Sequence, residues 1–404
     1  MRRYINNRTE CIWETLIFIL FFSPLILYQY PLIGLLATTL KILIFFGLII
    51  VIFVNRVQLS PVTISIIAII VCVFFATLLN EPISIFDVFR RYYTILGVAL
   101  LIELKQKETK SLYKPIFYAS SFLIYINLLA MIFAPKGLYV GETNNAPYWI
   151  IGQKQDLASV YIVSCMTSLL IWPTCSYKMK LLIFLTISSI LISFLLAFPL
   201  GLMLCLIILF GLTVYTVITN RYFRLRLFVK VYLLLESLCI VIAYTASKLV
   251  LLWLMLDRIS ASNDDIHTNT KSDTILSRIM MWKDGLKLIM DNPLGNGILS
   301  EQRYNTVMRN SYFHPHIHNT FLDLTMTGGI VASMIFVYIN FIVANKICFG
   351  NTYQKSVFTY TIFCFLILML TEVPYWPFIW SVYILAYYSM NQSVSDRRII
   401  FIKK

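Results

Sequence analysis

The chain predicts an all-α integral membrane protein with about twelve spanning helices. Of its 404 residues, 59% are hydrophobic and 13% charged, and mean hydropathy is +0.79. A soluble domain carries about 25% charged residues, so this apolar excess is more than one soluble core can bury. Apolar runs long enough to cross a bilayer recur from end to end. Each needs about 20 residues, because the hydrocarbon layer offers no water to a backbone N–H or C=O.

The expected spans are 13–29, 32–54, 61–79, 86–103, 115–134, 157–173, 180–198, 200–219, 230–252, 320–345, 355–371 and 374–391. Arg2, Arg3 and Arg8 precede the first, and no small-residue cleavage site follows it, so it is expected to be a retained signal-anchor. The connecting segments alternate in charge. Arg56, the group Lys105, Lys107, Lys110 and Lys114, the pair Lys178 and Lys180, and the group Arg221, Arg224, Arg226 and Lys230 fall on one side. Lys346 and Lys355 join them, as do Arg397, Arg398, Lys403 and Lys404. Basic loops stay in the cytoplasm, so both termini of this multi-pass protein are expected there. The net charge of +14 is therefore topological and does not indicate nucleic acid. The eight cysteines show neither a disulfide framework nor a CxxC metal pattern.

One polytopic domain, 1–404, is expected, interrupted by a single large outer segment, 253–318. That segment has seven acidic and seven basic residues, so it carries no topological signal. It contains the amphipathic stretch SRIMMWKDGLKLIMDNPLGNG (277–297). Ile279, Trp282, Leu286 and Ile289 recur there at helical spacing. Ser277 or Asp273 is the expected N-cap, and Pro293, Gly295 and Gly297 end the helix. A long structured loop in a compact membrane protein usually serves function.

Chemistry-bearing residues concentrate near the end of this segment. Three of the four histidines, His314, His316 and His318, lie in SYFHPHIHNTFLD. Alternating histidines can share one face and bind a metal, but no cysteine is near and Asp323 falls within the next span. A neutral imidazole can instead take a hydroxyl proton near neutral pH. Few charges lie deep in spans; Glu236 and Asp323 are the notable ones.

HNTFLDLTMTGGI (318–330) resembles the signature of the O-antigen ligase and polysaccharide polymerase superfamily: His318, Asn319, and Gly328 or Gly329 after about nine residues. Arg278, Trp282, Pro293, Gly295 and Gly297 match the family's preceding segment. A second stretch, APKGLYVGETNNAPYWIIGQKQDLASVY (134–161), is similar to an outer loop of Wzy-type capsule and O-antigen polymerases. It does so through Pro135, Gly137, Tyr139, Trp149, Gly152 and Lys154, with Gln155 in place of the usual Asn. TEVPYWPFIWSVYILAYYS, with Glu372 at an outer boundary, also looks like such polymerases. AFPLGLML (197–204) departs from the pattern, since many members have an Arg or a Ser/Thr cluster there.

The resemblance implies a GT-C-like glycosyltransferase whose donor and acceptor are undecaprenyl-pyrophosphate-linked glycans. Membrane lipids and a chain-length regulator are the further partners expected; no cofactor or metal is. His318 would be the catalytic base. Arg forks bind diphosphate oxygens, so Arg90, Arg91 and Arg278, with Lys154, are the expected pyrophosphate ligands. Arg303, Arg309, Trp282 and His316 are the expected glycan contacts, Trp282 chiefly through packing. The polymerase is favoured over the ligase by the 134–161 segment. A lipid-linked glycan transporter is a third reading, against which stands the lack of an internal repeat. A structural assembly subunit is a fourth.

Overall fold

The computed structural model describes residues 2–22, 31–80, 85–140, 147–151, 157–197, 200–260, 271–299, 317–349, 351–370 and 377–402. The described chain is a bundle of α-helices: α1 (Arg2–Phe22), α2 (Pro31–Val54), α3 (Pro61–Asn80), α4 (Ile85–Leu104), α5 (Tyr113–Phe133), α6 (Leu157–Ile171) and α7 (Tyr177–Ala197). It continues with α8 (Leu200–Thr219), α9 (Leu225–Ser260), α10 (Lys271–Asp291), α11 (Thr320–Lys346), α12 (Thr352–Met369) and α13 (Pro377–Ile402). A ladder of two-residue strands, Tyr139–Val140 against Pro147–Tyr148, is the sheet among these residues. The class is all-α, as expected. Seven helical stretches among the described residues are long and apolar enough to cross a membrane. Among the others of the expected twelve, α8 is apolar throughout, and α4 carries Asp87, Arg90, Arg91 and Glu103.

Apart from α13, which runs on to Ile402 past its expected end at 391, the element bounds follow the expected spans with four differences. α1 begins at Arg2, well before the first expected span, and ends at Phe22. α9 runs to Ser260, so residues 253–260 of the expected loop are helical. α10 begins at Lys271, which puts Asp273 and Ser277 inside the helix and not at its cap. No Pro or Gly interrupts these extensions, so nothing in the backbone stops the helices at the apolar boundary. The fourth difference, a bend in α11, shapes the site below.

α12 and α13 form the centre, with Tyr360, Phe358, Phe365 and Tyr383 wholly buried. α2 and α7 lie at the periphery and expose Leu35, Phe53 and Leu195. Water would not tolerate such a continuous apolar surface, but lipid does. All eight cysteines are free thiols.

The loops that carry basic residues meet at one end of the bundle. Glu103 at the foot of α4 is fully buried there. It accepts hydrogen bonds from the Ser60 N–H and Oγ (3.2 and 2.6 Å), from Thr63 Oγ1, and from the Tyr388 hydroxyl of α13. Nearby Lys346 lies over Tyr387, Lys355 over Tyr222, and Arg226 Nε donates to Asn345 Oδ1 at 3.0 Å. Lys105 pairs with Glu10 and Glu14. Burial opposes its charge, but the two carboxylates outweigh that and raise its pKa.

Candidate active site

At the opposite end, α10 lies against α9 and α11. Met281 and Leu288 on its apolar face pack with Ile317, Leu322 and Met326, and Trp282, Leu286 and Ile289 flank this cluster. Its centre is Met281 and Leu288; of the residues the helical spacing marked, Trp282, Leu286 and Ile289 lie at its edge and Ile279 is not in it. Beyond Asp291 the turn Asn292–Ile298 leaves helical geometry and inserts between the far end of α3 and α11. The Asn296 N–H donates to Met326 O at 2.7 Å, the Gly297 N–H to Thr327 O at 2.9 Å, and the Ile298 N–H to Thr77 Oγ1 at 3.0 Å. In return, the Ile330 N–H donates to Pro293 O at 3.0 Å. Asn80 Nδ2 and Asn292 Nδ2 both donate to Gly295 O. Only glycine fits at the contact. A Cβ at Gly295 would stand 2.6 Å from Gly329 N, one at Gly297 2.3 Å from Thr77 Cα, and one at Gly329 2.4 Å from Leu294 O. The Pro–x–Gly–x–Gly pattern thus reads as a plug of backbone against backbone.

The turn docks where α11 breaks. Gly329 has φ 78° and ψ 176°, outside the helical region. Across the break, Thr325 Oγ1 and Ser333 Oγ hydrogen-bond although eight residues apart. An uninterrupted helix would separate them by about 12 Å along its axis, so the two arms are sharply bent toward each other. The short arm, 320–328, therefore does not continue the axis of the long one. Register against α9 gives its direction. Arg226 and Asn345 stand level at the basic end. From there α9 climbs about 15 Å to Glu236, while the long arm climbs about 24 Å to Gly329. Asn319 hydrogen-bonds Glu236, so the start of the short arm sits deeper in the bundle than the bend.

His318 is at that start. It is half-buried, its Nδ1 shielded from solvent. Its backbone is left-handed, φ 52°, a conformation costing a non-glycine residue about 1 kcal/mol. Hydrogen bonds on both sides hold it. The Ile317 N–H points to Asp323 Oδ1 at 3.4 Å. Asn319 caps the short arm by accepting from the Leu322 N–H at 2.9 Å, and its Nδ2 donates to Glu236 Oε2 at 2.8 Å. Glu236 and Asp323 are 2% and 1% exposed, so both carboxylates work inside the bundle.

Residues 156–337 match the family model described as O-antigen ligase. This segment, a little under half of the chain, is similar to that family. The match runs from the start of α6 through the bend of α11, and so contains α10, the glycine turn, Glu236 and His318. Members of this family are glycosyltransferase-like enzymes acting on lipid-linked glycans. No curated protein matches the chain.

The expected site residues divide around this family segment. Arg278 and Trp282 lie within it on α10. Arg278 is half-buried, one turn before Met281, which packs against Ile317. Trp282 is half-buried at the edge of the same cluster. Arg90 and Arg91 lie outside the matched segment, on α4, the first exposed and the second half-buried. They come near the site through Tyr92, which is close enough to Asp323 and Arg91 for their charges to interact. Tyr92 thus links Arg91 to Asp323, while Arg90 is exposed on α4. Lys154, Arg303, Arg309, His314 and His316 lie outside the described residues.

In the 134–161 stretch, Trp149 is buried and its Nε1 donates to Ala134 O at 3.0 Å; the Ile151 N–H donates to Asn127 Oδ1 at 2.8 Å. Trp149 therefore braces its own loop. Asn292, Asn296, Asn80 and Thr77, which lock the turn, had no mark in the sequence beyond being polar among apolar neighbours. Glu236 did have one, as a lone carboxylate inside an apolar run.

Proposed function

We propose that this chain is a polysaccharide polymerase that joins undecaprenyl-pyrophosphate-linked repeat units at the outer face of the cytoplasmic membrane. The basic end of the bundle is the cytoplasmic end in this reading. The observation that carries it is His318, held in a left-handed turn at the start of a bent helix within the family segment. Its Nε2 takes the proton from a sugar hydroxyl of the acceptor. That oxygen attacks the anomeric carbon of the donor glycan, and the bond to the pyrophosphate oxygen breaks. Undecaprenyl pyrophosphate leaves with the electron pair, and the anomeric centre inverts. Charge grows on the leaving group, and Arg91 and Arg278, with Arg90 at the rim, neutralise it. Lys154 extends this basic set, and Arg303, Arg309, His316 and Trp282 hold glycan. The arginines supply the charge a divalent metal would, so activity that disappears in EDTA and returns with Mg²⁺ would contradict the mechanism.

The test of the base is polymer chain length with His318→Ala at matched expression; a normal ladder would remove His318 from the mechanism. The description of the matched family favours a second reading, transfer of finished polymer to a lipid A-core acceptor. The 134–161 stretch supports the polymerase. Reconstitution with a lipid-linked repeat unit as the sole glycan separates the two. A ladder supports polymerisation, and product only after lipid A-core is added supports ligation.

A further inference from the structure

We propose that Glu236 is a positioning residue for His318, acting through Asn319. This rests on the catalytic reading of His318 given above. Glu236 sits in the middle of the apolar part of α9, where a carboxylate is costly and needs a reason to be there. Its Oε2 accepts from Asn319 Nδ2 at 2.8 Å. Its Oε1 is buried with no hydrogen-bond partner among the described residues. Tyr232, one turn earlier on α9, turns its hydroxyl toward the same carboxylate, and Asn319 is the side chain that reaches it from α11.

What Asn319 does with that grip is the centre of the inference. Its two side-chain atoms serve two elements: Oδ1 caps the short arm of α11 through the Leu322 N–H, and Nδ2 ties that cap to α9. The cap alone would satisfy the helix end, and serine or aspartate would provide it equally well. The amide caps through Oδ1 and donates through Nδ2, whereas a serine Oγ stands near the position of Cγ, about 1.3 Å short of Nδ2, and its O–H would not reach Glu236. His318 is the residue immediately before, in a backbone conformation it does not prefer. Remove the tie to α9 and Asn319 remains a cap, but the turn before it can relax and swing the imidazole. An ångström of displacement at a reacting group is enough to lower kcat about 100-fold.

The experiment uses the full-length protein in detergent or proteoliposomes, with a lipid-linked repeat unit as substrate. Glu236→Ala removes the acceptor, Glu236→Gln keeps an oxygen for Asn319, and Asn319→Ser keeps the cap but is too short for its hydroxyl to donate to Glu236. Glu236→Ala and Asn319→Ser should each lower kcat about 100-fold with KM for the lipid-linked substrate little changed. The double variant should be no worse than either single, because both cut the same link. Glu236→Gln should stay near wild type. Additive losses, or Glu236→Gln as damaged as Glu236→Ala, would overturn the proposal.

A second readout does not depend on activity. Carbethoxylation of His318, followed by mass spectrometry, should speed up several-fold in Glu236→Ala and Asn319→Ser and not in Glu236→Gln. Unchanged labelling in all three overturns the positioning role even if His318 proves catalytic. Altered labelling combined with an active His318→Ala variant would instead leave the coupling standing and remove the catalytic reading. If Glu236→Ala does not fold, Asn319→Ser and Glu236→Gln carry the same test.

Discussion

Gly297→Ala should undock the glycine turn from the bundle without unfolding the protein. Gly297 has φ 73°, and a Cβ there would lie 2.3 Å from Thr77 Cα and 2.6 Å from Thr77 N. Both are backbone atoms of α3, which is clamped along its length by α11 and cannot retreat. Alanine in the left-handed region costs about 1 kcal/mol. Relief of the clash requires the turn to withdraw, exposing the N–H bonds of Asn296, Gly297 and Ile298, each about 1 kcal/mol. Together these amount to about 4 kcal/mol, a roughly thousandfold shift in the docking equilibrium. The assay is hydrogen–deuterium exchange of the solubilised protein. Protection at amides 296–298 should fall steeply, while α12 and α13 keep theirs. Two glycines serve as comparisons. Gly211→Ala meets no atom within 4 Å and should exchange as wild type. Gly285→Ala meets the Cδ1 end of Ile317 at 2.3 Å, a flexible tip that can rotate for about 1 kcal/mol. Wild-type protection at 296–298 in Gly297→Ala would refute the backbone-plug account.

Two further outcomes follow from buried carboxyl groups. Glu103→Ala strands the Ser60, Thr63 and Tyr388 donors at the basic end, so the protein should lose about 3 kcal/mol and melt earlier. Glu103→Gln should lose less, and equal melting of all three forms would show that the network is not structural. Burial pushes the Asp284 carboxyl up from its usual 3.8, against the pull of Lys283 and Lys287. Its folded pKa exceeds the unfolded one, so its contribution to stability is full below pH 3.8 and is lost as pH rises through the folded value. Asp284→Asn should therefore melt higher than wild type at neutral pH, with the gap closing in acid; a constant gap across pH would contradict the assignment.

Much of the site could be read before the fold was known. The helical spacing of Ile279, Trp282, Leu286 and Ile289 marked α10 as amphipathic, although the face that packs on α11 centres on Met281 and Leu288 and takes Trp282, Leu286 and Ile289 only at its edge. The glycines of the turn stood out as a helix stop and as part of the resemblance; that each meets a neighbouring backbone only the packing shows. The role of Glu236 could not be read, because its partner lies 83 residues away and only the packing of α9 on α11 brings them together. The bend at Gly329 was equally hidden. HNTFLDLTMTGGI reads as the opening of one span, and the Thr325–Ser333 contact that reveals two arms is a tertiary fact.

Composition and loop charge determined that the chain is a helical membrane protein and that its basic loops share an end. Those properties are local, summed along the chain, and need no knowledge of which helix touches which. The tertiary structure decided the depth of His318. A span that opens with histidine would hold it at the surface. Here α11 folds at Gly329 because the glycine turn occupies the space a straight helix would use, and the short arm carries His318 down to Glu236.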